Sequence, residues 1–444
     1  MGYPAVINKA APSLILEGRA GFEPMSAFRA AAWDLLKRNV MSTFNRRQFI
    51  GVSLKTAATV SVAAALTGQS QPVETKPERK IKLGVIGCGG RGRWITRLFH
   101  KHGGYEIHAV ADYFQSVADA SGDEFGVDKS RRFSTLSGYK RVIESGIEAI
   151  ALEVPPYFFP EQARAAVDAG LHVYMAKPVA VDVPGCLAVE AAAAKATGSK
   201  KVFLVDYQLP TDPANIEVVK RVQNGEVGGI ATLNSQYHTG QFPDPPFTEN
   251  YESRLQSLIW VNDTAMGGSH HVNACIHAMD AALWFAGARP VRAVGYSQRS
   301  RPNPHGDSHD VFSLIFEYPN GLFHHHRGKH LNNQHNFDVF CQIQGITGFA
   351  QIGYGGKAFC RSATDAFEGD VPNLYEMGAS RNIAKFHTSI VSGDCANDTV
   401  RRSIDGALAT ILGREAGRRR TALTMAELIQ QNQRLEPSLR GLKG

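Results

Sequence analysis

The chain has 444 residues, 43% hydrophobic and 20% charged, a balance that excludes a fibrous or largely disordered protein and is too long for one typical core. Its formal charge of +7 gathers at the start: residues 1–70 carry eight Lys/Arg and three Asp/Glu, leaving 40 basic against 38 acidic residues beyond them. The body is nearly neutral, and charge gives no reason to expect a nucleic-acid partner.

In chain order, the first signal is Asn45-Arg46-Arg47-Gln48-Phe49-Ile50 followed by Gly51 to Leu66, a mildly apolar run interrupted by Lys55. Twin arginines before a weak hydrophobic stretch resemble a Tat export signal, with an amphipathic amino-terminal helix of a cytosolic protein as the other reading. The run is too short and polar for a stable membrane span. Met41 stands where such a signal would begin, Ala63-Ala64-Ala65 offers a cleavage site, and Gly68 to Glu78 reads as a tether. Residues 1–79 are therefore expected to be leader, signal and linker, and the mature protein to be periplasmic or otherwise outside the cytoplasm.

From residue 80 the pattern alternates strand and helix. Lys82 to Ile86 is a short apolar strand that runs into Gly87-x-Gly89-x-x-Gly92 at the start of an amphipathic stretch. Such a loop turns the backbone at Gly87, lets a pyrophosphate approach Gly89 and Gly90 without a Cβ in the way, and packs the helix close at Gly92. Arg91 lies within the same loop. The next strand, Ile107 to Ala111, ends in Asp112, placed about 20 residues beyond the loop, where a ribose 2′-hydroxyl needs an acid. Together these point to dinucleotide binding, and Asp112 without a neighbouring Arg favours NAD, with NADP as the alternative, because a 2′-phosphate would meet a carboxylate. Further strands at Ala149–Val154, Leu171–Met175 and Lys201–Val205, with helices at Pro160–Ala169 and Gly185–Ala196, predict a doubly wound parallel sheet over 80–206. Its ligand belongs at the carboxyl ends of the strands, where Gly87, Asp112, Pro155 and Lys177 fall.

Past Asp206 the period changes. A helix from Pro213 to Gln223 precedes period-2 runs at Ile230–Tyr237, Val291–Gln298, Val311–Tyr318, Leu322–Arg327 and Phe337–Ile343, with Pro319-Asn320-Gly321 as a hairpin turn. The expected fold of 207–444 is an α/β domain with a largely antiparallel open sheet, its last helices near Ser389 and Asn397–Arg418 returning to the first domain. Its free face is offered as a homo-oligomer interface.

Two further motifs stand at candidate chemical positions: Ala176-Lys177-Pro178 at a strand end, and Gly267-Gly268 followed by His270, Asn273, His277 and Asp280. With the glycine loop they resemble the glucose-fructose oxidoreductase / inositol dehydrogenase (Gfo/Idh/MocA) family, from about Lys80 to the end. That family carries Glu-Lys-Pro at the first motif and an Asp four residues before the His at the second; here Ala176 and Asn273 stand in those places. The resemblance implies a Rossmann domain, an α/β substrate domain, a nicotinamide cofactor and a carbohydrate or cyclitol substrate. Hydride chemistry needs a group that takes the hydroxyl proton and a cation beside the developing alkoxide. His277 is the base candidate, Asn273 its orienting neighbour one helical turn away, and Lys177 the electrophile or proton relay. Without an adjacent carboxylate, Lys177 is expected to have a lowered pKa and to carry more of the proton transfer than in relatives. An exported enzyme meets no free nicotinamide pool, so the cofactor is expected to be inserted before export and recycled in place.

Several alternatives stay open at this level: an NAD-dependent glycosidase that works by transient oxidation and elimination, or a non-catalytic nucleotide- or sugar-binding relative in which the changes at 176 and 273 mark decay. Tyr237 and His238 either line the pocket or lie on the surface, and Trp260 either stacks on a sugar or packs the domain junction. His270, Asn273 and His277 lie on one helix face at i, i+3 and i+7, and His324 and His326 share one strand face. The six cysteines form no C-x-x-C pair, and no metal site is assigned.

Overall fold

The computed structural model describes residues 79–245, 247, 252–256, 258–302, 304–396 and 399–444; the twin-arginine segment and its linker lie outside them. Six strands form the first sheet: β1 (Ile81–Ile86), β2 (Tyr105–Asp112), β3 (Arg132–Ser134), β4 (Ala149–Leu152), β5 (His172–Ala176) and β6 (Phe203–Asp206). Their order is β3-β2-β1-β4-β5-β6 and every pair is parallel, the doubly wound arrangement of a Rossmann domain. β4 and β6 are buried throughout, which is why they read as continuous apolar runs rather than as alternation. Helices α1 (Gly90–His102), α2 (Gln115–Phe125), α3 (Gly138–Ile143), α4 (Phe159–Asp168) and α5 (Val183–Gly198) make the crossovers.

After α6 (Pro213–Gln223), the second sheet begins with β7 (Ile230–Thr239). Three short helices follow, α7 (Thr264–Gly267), α8 (His270–Asn273) and α9 (Ile276–Ala286), and then β8 (Arg292–Gln298), β9 (Val311–Glu317), β10 (Phe323–His330) and β11 (Asp338–Gly345). The sheet is completed by β12 (Gly348–Gly353), β13 (Lys357–Ser362), β14 (Ala366–Asp370) and the two-residue β15 (Leu423–Thr424), in the order β14-β13-β12-β11-β7-β10-β9-β8-β15. All pairs are antiparallel except β7 with β10, because the chain crosses over the sheet before it returns beside β7. The hairpin at Pro319-Asn320-Gly321 joins β9 to β10, with Gly321 at φ +79°. One face of the sheet packs under α9 and α11 (Thr399–Arg419). The other presents Val294, Tyr296, Ile315 and Phe323 to solvent, each at least 40% exposed.

The chain's last third closes back on the first sheet. Phe386 and Ile383 of α10 (Leu374–Ser392) join the core made by Leu83, Val85, Ile95 and Phe99, and Asn382 Nδ2 donates to Asp206 Oδ1 at 2.8 Å. After α12 (Met425–Gln431), the carbonyl of Lys443 accepts from Leu136 N at 3.0 Å. The cleft between the two sheets is thereby walled by residues distant in sequence.

Candidate active site

Each glycine of the loop after β1 answers to a different steric demand. Gly87 sits at φ +88°, and a Cβ there would lie 2.5 Å from the Glu153 carbonyl oxygen. At Gly92 a Cβ would lie 1.7 Å from the Gly87 carbonyl oxygen, so only glycine lets α1 start where it does. At Gly89 and Gly90 a Cβ would meet nothing within 4 Å, because both face the cleft. No side chain caps α1, so its first amides are left for an anion. On the next strand, Asp112 Oδ2 accepts from Cys88 N at 2.8 Å and Oδ1 from Phe114 N at 3.1 Å, which aims the carboxylate at the cleft rim with lone pairs to spare. Burial pushes its carboxyl up, and those amides pull it back. An open glycine cradle, an uncapped helix start and a pinned acid fit a dinucleotide.

Deeper in, four charged groups cluster. Arg91 Nε lies 3.1 Å from Glu153 Oε2, and Arg91 Nη2 lies 2.9 Å from Asp206 Oδ2. Both carboxylates are fully buried. Beside them Lys177, at the end of β5, donates from Nζ to the Asn273 backbone carbonyl at 2.7 Å. Burial and then the Arg91 cation bring the Lys177 ammonium down to about 7, against the pull of Asp206 and Glu153. The direction expected from the sequence holds, but its cause differs: two carboxylates from other strands stand near Lys177 despite the Ala at 176, and desolvation outweighs them. Burial likewise raises Glu153 to about 7.

His277 faces this cluster across the cleft. Its Nδ1 lies 2.6 Å from Tyr354 Oη, Tyr354 Oη lies 3.1 Å from Gln208 Oε1, and Gln208 Nε2 lies 2.6 Å from Asp206 Oδ2. A carboxylate accepts only, so it fixes the Gln208 amide with its NH2 toward Asp206 and its oxygen toward Tyr354. That oxygen takes the Tyr354 proton, so Tyr354 Oη must accept from His277 Nδ1–H. The tautomer is thereby set, with Nε2 bare. Burial, with Lys177 and Arg91 as neighbouring cations, holds the imidazole well below its ordinary range and so neutral.

This corrects two expectations. The helix carrying His270, Asn273 and His277 is not continuous: α8 ends at Asn273 and α9 begins at Ile276, and while Asn273 and His277 both line the cleft, His270 does not. Asn273 therefore does not hold the His277 ring; Tyr354 does, and Asn273 contributes its backbone carbonyl to Lys177. Asp280 is buried and paired with Arg402, tying α9 to α11. Nothing in the sequence signals that Glu153, Asp206, Gln208 and Tyr354 meet, although Glu153 and Asp206 each close an apolar strand, a setting in which a carboxylate needs a partner.

Pro155, Ala176, Tyr237, Phe242, Trp260 and Tyr375 complete the lining of a cleft of about 590 Å3. Tyr237 stacks on His277 with ring centres 6.1 Å apart, whereas His238 turns away to the His335 ring. His270 is buried against His330 at 4.4 Å. His324 and His326 share a buried face through Ser235, and His325 points outward. The arrangement defines a dinucleotide-dependent oxidoreductase with Lys177 and His277 facing one cleft.

Comparison with known proteins agrees. Residues 81–206 match the oxidoreductase family with NAD-binding Rossmann fold, and residues 216–351 match the GFO/IDH/MocA C-terminal domain. The chain belongs to the Gfo/Idh/MocA family of NAD-dependent oxidoreductases. Among curated relatives, inositol 2-dehydrogenase of Klebsiella pneumoniae (strain 342) is 25% identical over 273 residues, covering 61% of this chain and 74% of that one. Inositol 2-dehydrogenase of Ralstonia nicotianae is 25% identical over 282 residues with the same coverage. Among solved structures, a levoglucosan dehydrogenase in complex with NADH and levoglucosan superposes with a TM-score of 0.65 at 16% identity, covering 78% of this chain and 100% of that one. Aldose-aldose oxidoreductase from Caulobacter crescentus gives 0.64 at 18% identity with equal coverage. At these identities the structures speak to the fold.

Proposed function

We propose that this enzyme oxidises a hydroxyl of a sugar or cyclitol, or reduces the matching ketone, using a tightly held NAD recycled within the site. The observation that carries this reading is the pairing of a lowered-pKa lysine and a tautomer-fixed histidine on a cleft whose entrance is the glycine loop. The relatives named inositol 2-dehydrogenase and the neighbour holding levoglucosan support a polyhydroxylated ring as substrate. Gly87, Gly89, Gly90, Arg91 and Gly92 would hold the pyrophosphate, Asp112 the ribose diol and Pro155 the flank, and the bound nicotinamide supplies the hydride acceptor or donor.

Lys177 is the general base. A group near 7 is half neutral at neutral pH and takes a hydroxyl proton with least penalty, whereas an imidazole held far lower is a weak base. Its bond to the Asn273 carbonyl fixes Nζ while leaving its lone pair for substrate. His277 Nε2 accepts a hydrogen bond and orients the ring, and Tyr237 and Trp260 give it apolar walls. In the reducing direction protonated Lys177 returns the proton. The twin-arginine segment supports export of the folded, loaded enzyme, which would make retention of the nucleotide necessary. Incubating the protein as purified, with its nucleotide, against a panel of aldoses and cyclitols should yield a ketone or reduced partner by mass spectrometry. Turnover of none, alongside release of a free sugar from aryl glycosides, would replace the reading with redox-assisted glycoside cleavage.

A further inference from the structure

Apart from the cleft, the second domain buries a group of chemically capable side chains that the reaction does not use. His271 on α8, Cys275 just before α9 and His326 on β10 are all buried, and one ligand atom from each lies within 4.8 Å of the others. Among the described residues, neither nitrogen of His271 and not Nε2 of His326 has a hydrogen-bond partner. A neutral imidazole carries one N–H and one lone pair, so leaving these sites unmet inside a core is destabilising. His326 Nδ1 is held by Ser235 Oγ at 2.8 Å, the second-sphere contact that steers Nε2 of a metal-bound histidine. The backbone has been cleared around the group. A Cβ at Gly328 would lie 2.6 Å from Cys275 Sγ, and a Cβ at Gly413 would lie 2.6 Å from His271 Nε2.

We propose that His271, Cys275 and His326 form a closed, trigonal site for a single monovalent copper ion that pins the α8–α9 layer to the sheet. The donors decide the metal class. Two imidazoles and a thiolate without a carboxylate suit a soft d10 cation and exclude calcium or magnesium. Charge then separates copper from zinc: a thiolate with Cu(I) is neutral overall, whereas Zn(II) would leave a net positive charge in a core where an unpaired charge is costly. Binding replaces the thiol proton by the ion, and the proton leaves to solvent, so no oxidant or reductant is needed beyond Cu(I) itself. Spacing permits it. A cation at the centre of a triangle of at most 4.8 Å edges sits about 2.8 Å from each donor, so torsions need close by roughly 0.5–0.8 Å to reach bond lengths of about 2.0–2.3 Å.

The test expresses the full chain in copper-supplemented and zinc-supplemented media and measures metal per chain in the NAD-loaded protein. The proposal expects close to one copper per chain, held against a bathocuproine competitor, a higher melting temperature with copper, and loss of both in Cys275→Ala and His326→Gln with bound nucleotide unchanged. Should those variants fail to fold, copper-edge absorption of the wild type must show one sulfur and two nitrogen neighbours. Copper content no higher than in Cys275→Ala, a different donor set, or preferential filling by zinc would overturn it. None of these readouts depends on turnover.

Discussion

Replacing Tyr354 by Phe tests whether the ring of His277 is set from behind. The substitution keeps the ring and removes one oxygen, which lies 2.6 Å from His277 Nδ1 and 3.1 Å from Gln208 Oε1. Both partners are left buried and unpaired, a cost of about 1–3 kcal/mol apiece. Part of that cost disappears if the imidazole moves its proton to Nε2, and that is the tautomer with no lone pair for substrate. A loss of about 1.4–2.7 kcal/mol in transition-state stabilisation follows, or roughly 10- to 100-fold in kcat/KM. The assay is single-turnover reduction of the bound nucleotide by the best sugar of the panel, with nucleotide content checked in parallel. Because Tyr354 acts through His277, the double variant His277→Ala/Tyr354→Phe should be no slower than His277→Ala alone. Independent, multiplying losses, or a single Tyr354→Phe change smaller than about threefold (~0.6 kcal/mol), would refute the tautomer argument.

Oxidation should rise with pH through about 7, because Lys177 must be neutral to accept the proton, and reduction should fall over the same range. Glu153 holds the Lys177 ammonium up, so Glu153→Gln should move both limbs to lower pH; a profile that stays in place would show that the limb belongs to another group. Gly89→Val should fold, release nucleotide and melt like wild type stripped of its nucleotide, whereas Gly92→Ala should unfold or melt well below that reference, since its Cβ overlaps the Gly87 carbonyl; equal melting of the two variants would contradict the division of labour in the loop. On the open sheet face, Tyr296→Glu should shift the molar mass seen by light scattering toward the monomer if copies meet there, and an unchanged mass would remove that face as an interface.

What the sequence made legible depended on how local the cause was. The order strand, glycine loop, helix and strand-end Asp112 is written in some 30 residues, and steric needs at Gly87 and Gly92 are properties of the loop itself. Period-2 runs gave β7 to β11 closely, because one face of that sheet is covered and the other wet. The three strands from Gly348 to Asp370 were missed; they are short, glycine-punctuated and close to the edge. The break between α8 and α9 is not legible either, as Ala274-Cys275 carries no helix breaker. The site was half legible. Lys177 and His277 stood out by motif, but Glu153, Asp206, Gln208 and Tyr354 are separated by up to 201 positions and meet only through the fold. The fall in Lys177 pKa was ascribed to a missing neighbour in sequence, whereas its main cause is burial, a quantity that sequence distance does not measure.

The absorbance of the bound nucleotide, recorded on wild type and Lys177→Met as each sugar is added, addresses the proton-acceptor claim most directly. The wild type should change redox state with at least one sugar or cyclitol, and Lys177→Met should carry the same nucleotide yet remain unchanged. A variant that still responds at the wild-type rate, while His277→Ala does not, would contradict the assignment of proton transfer to Lys177.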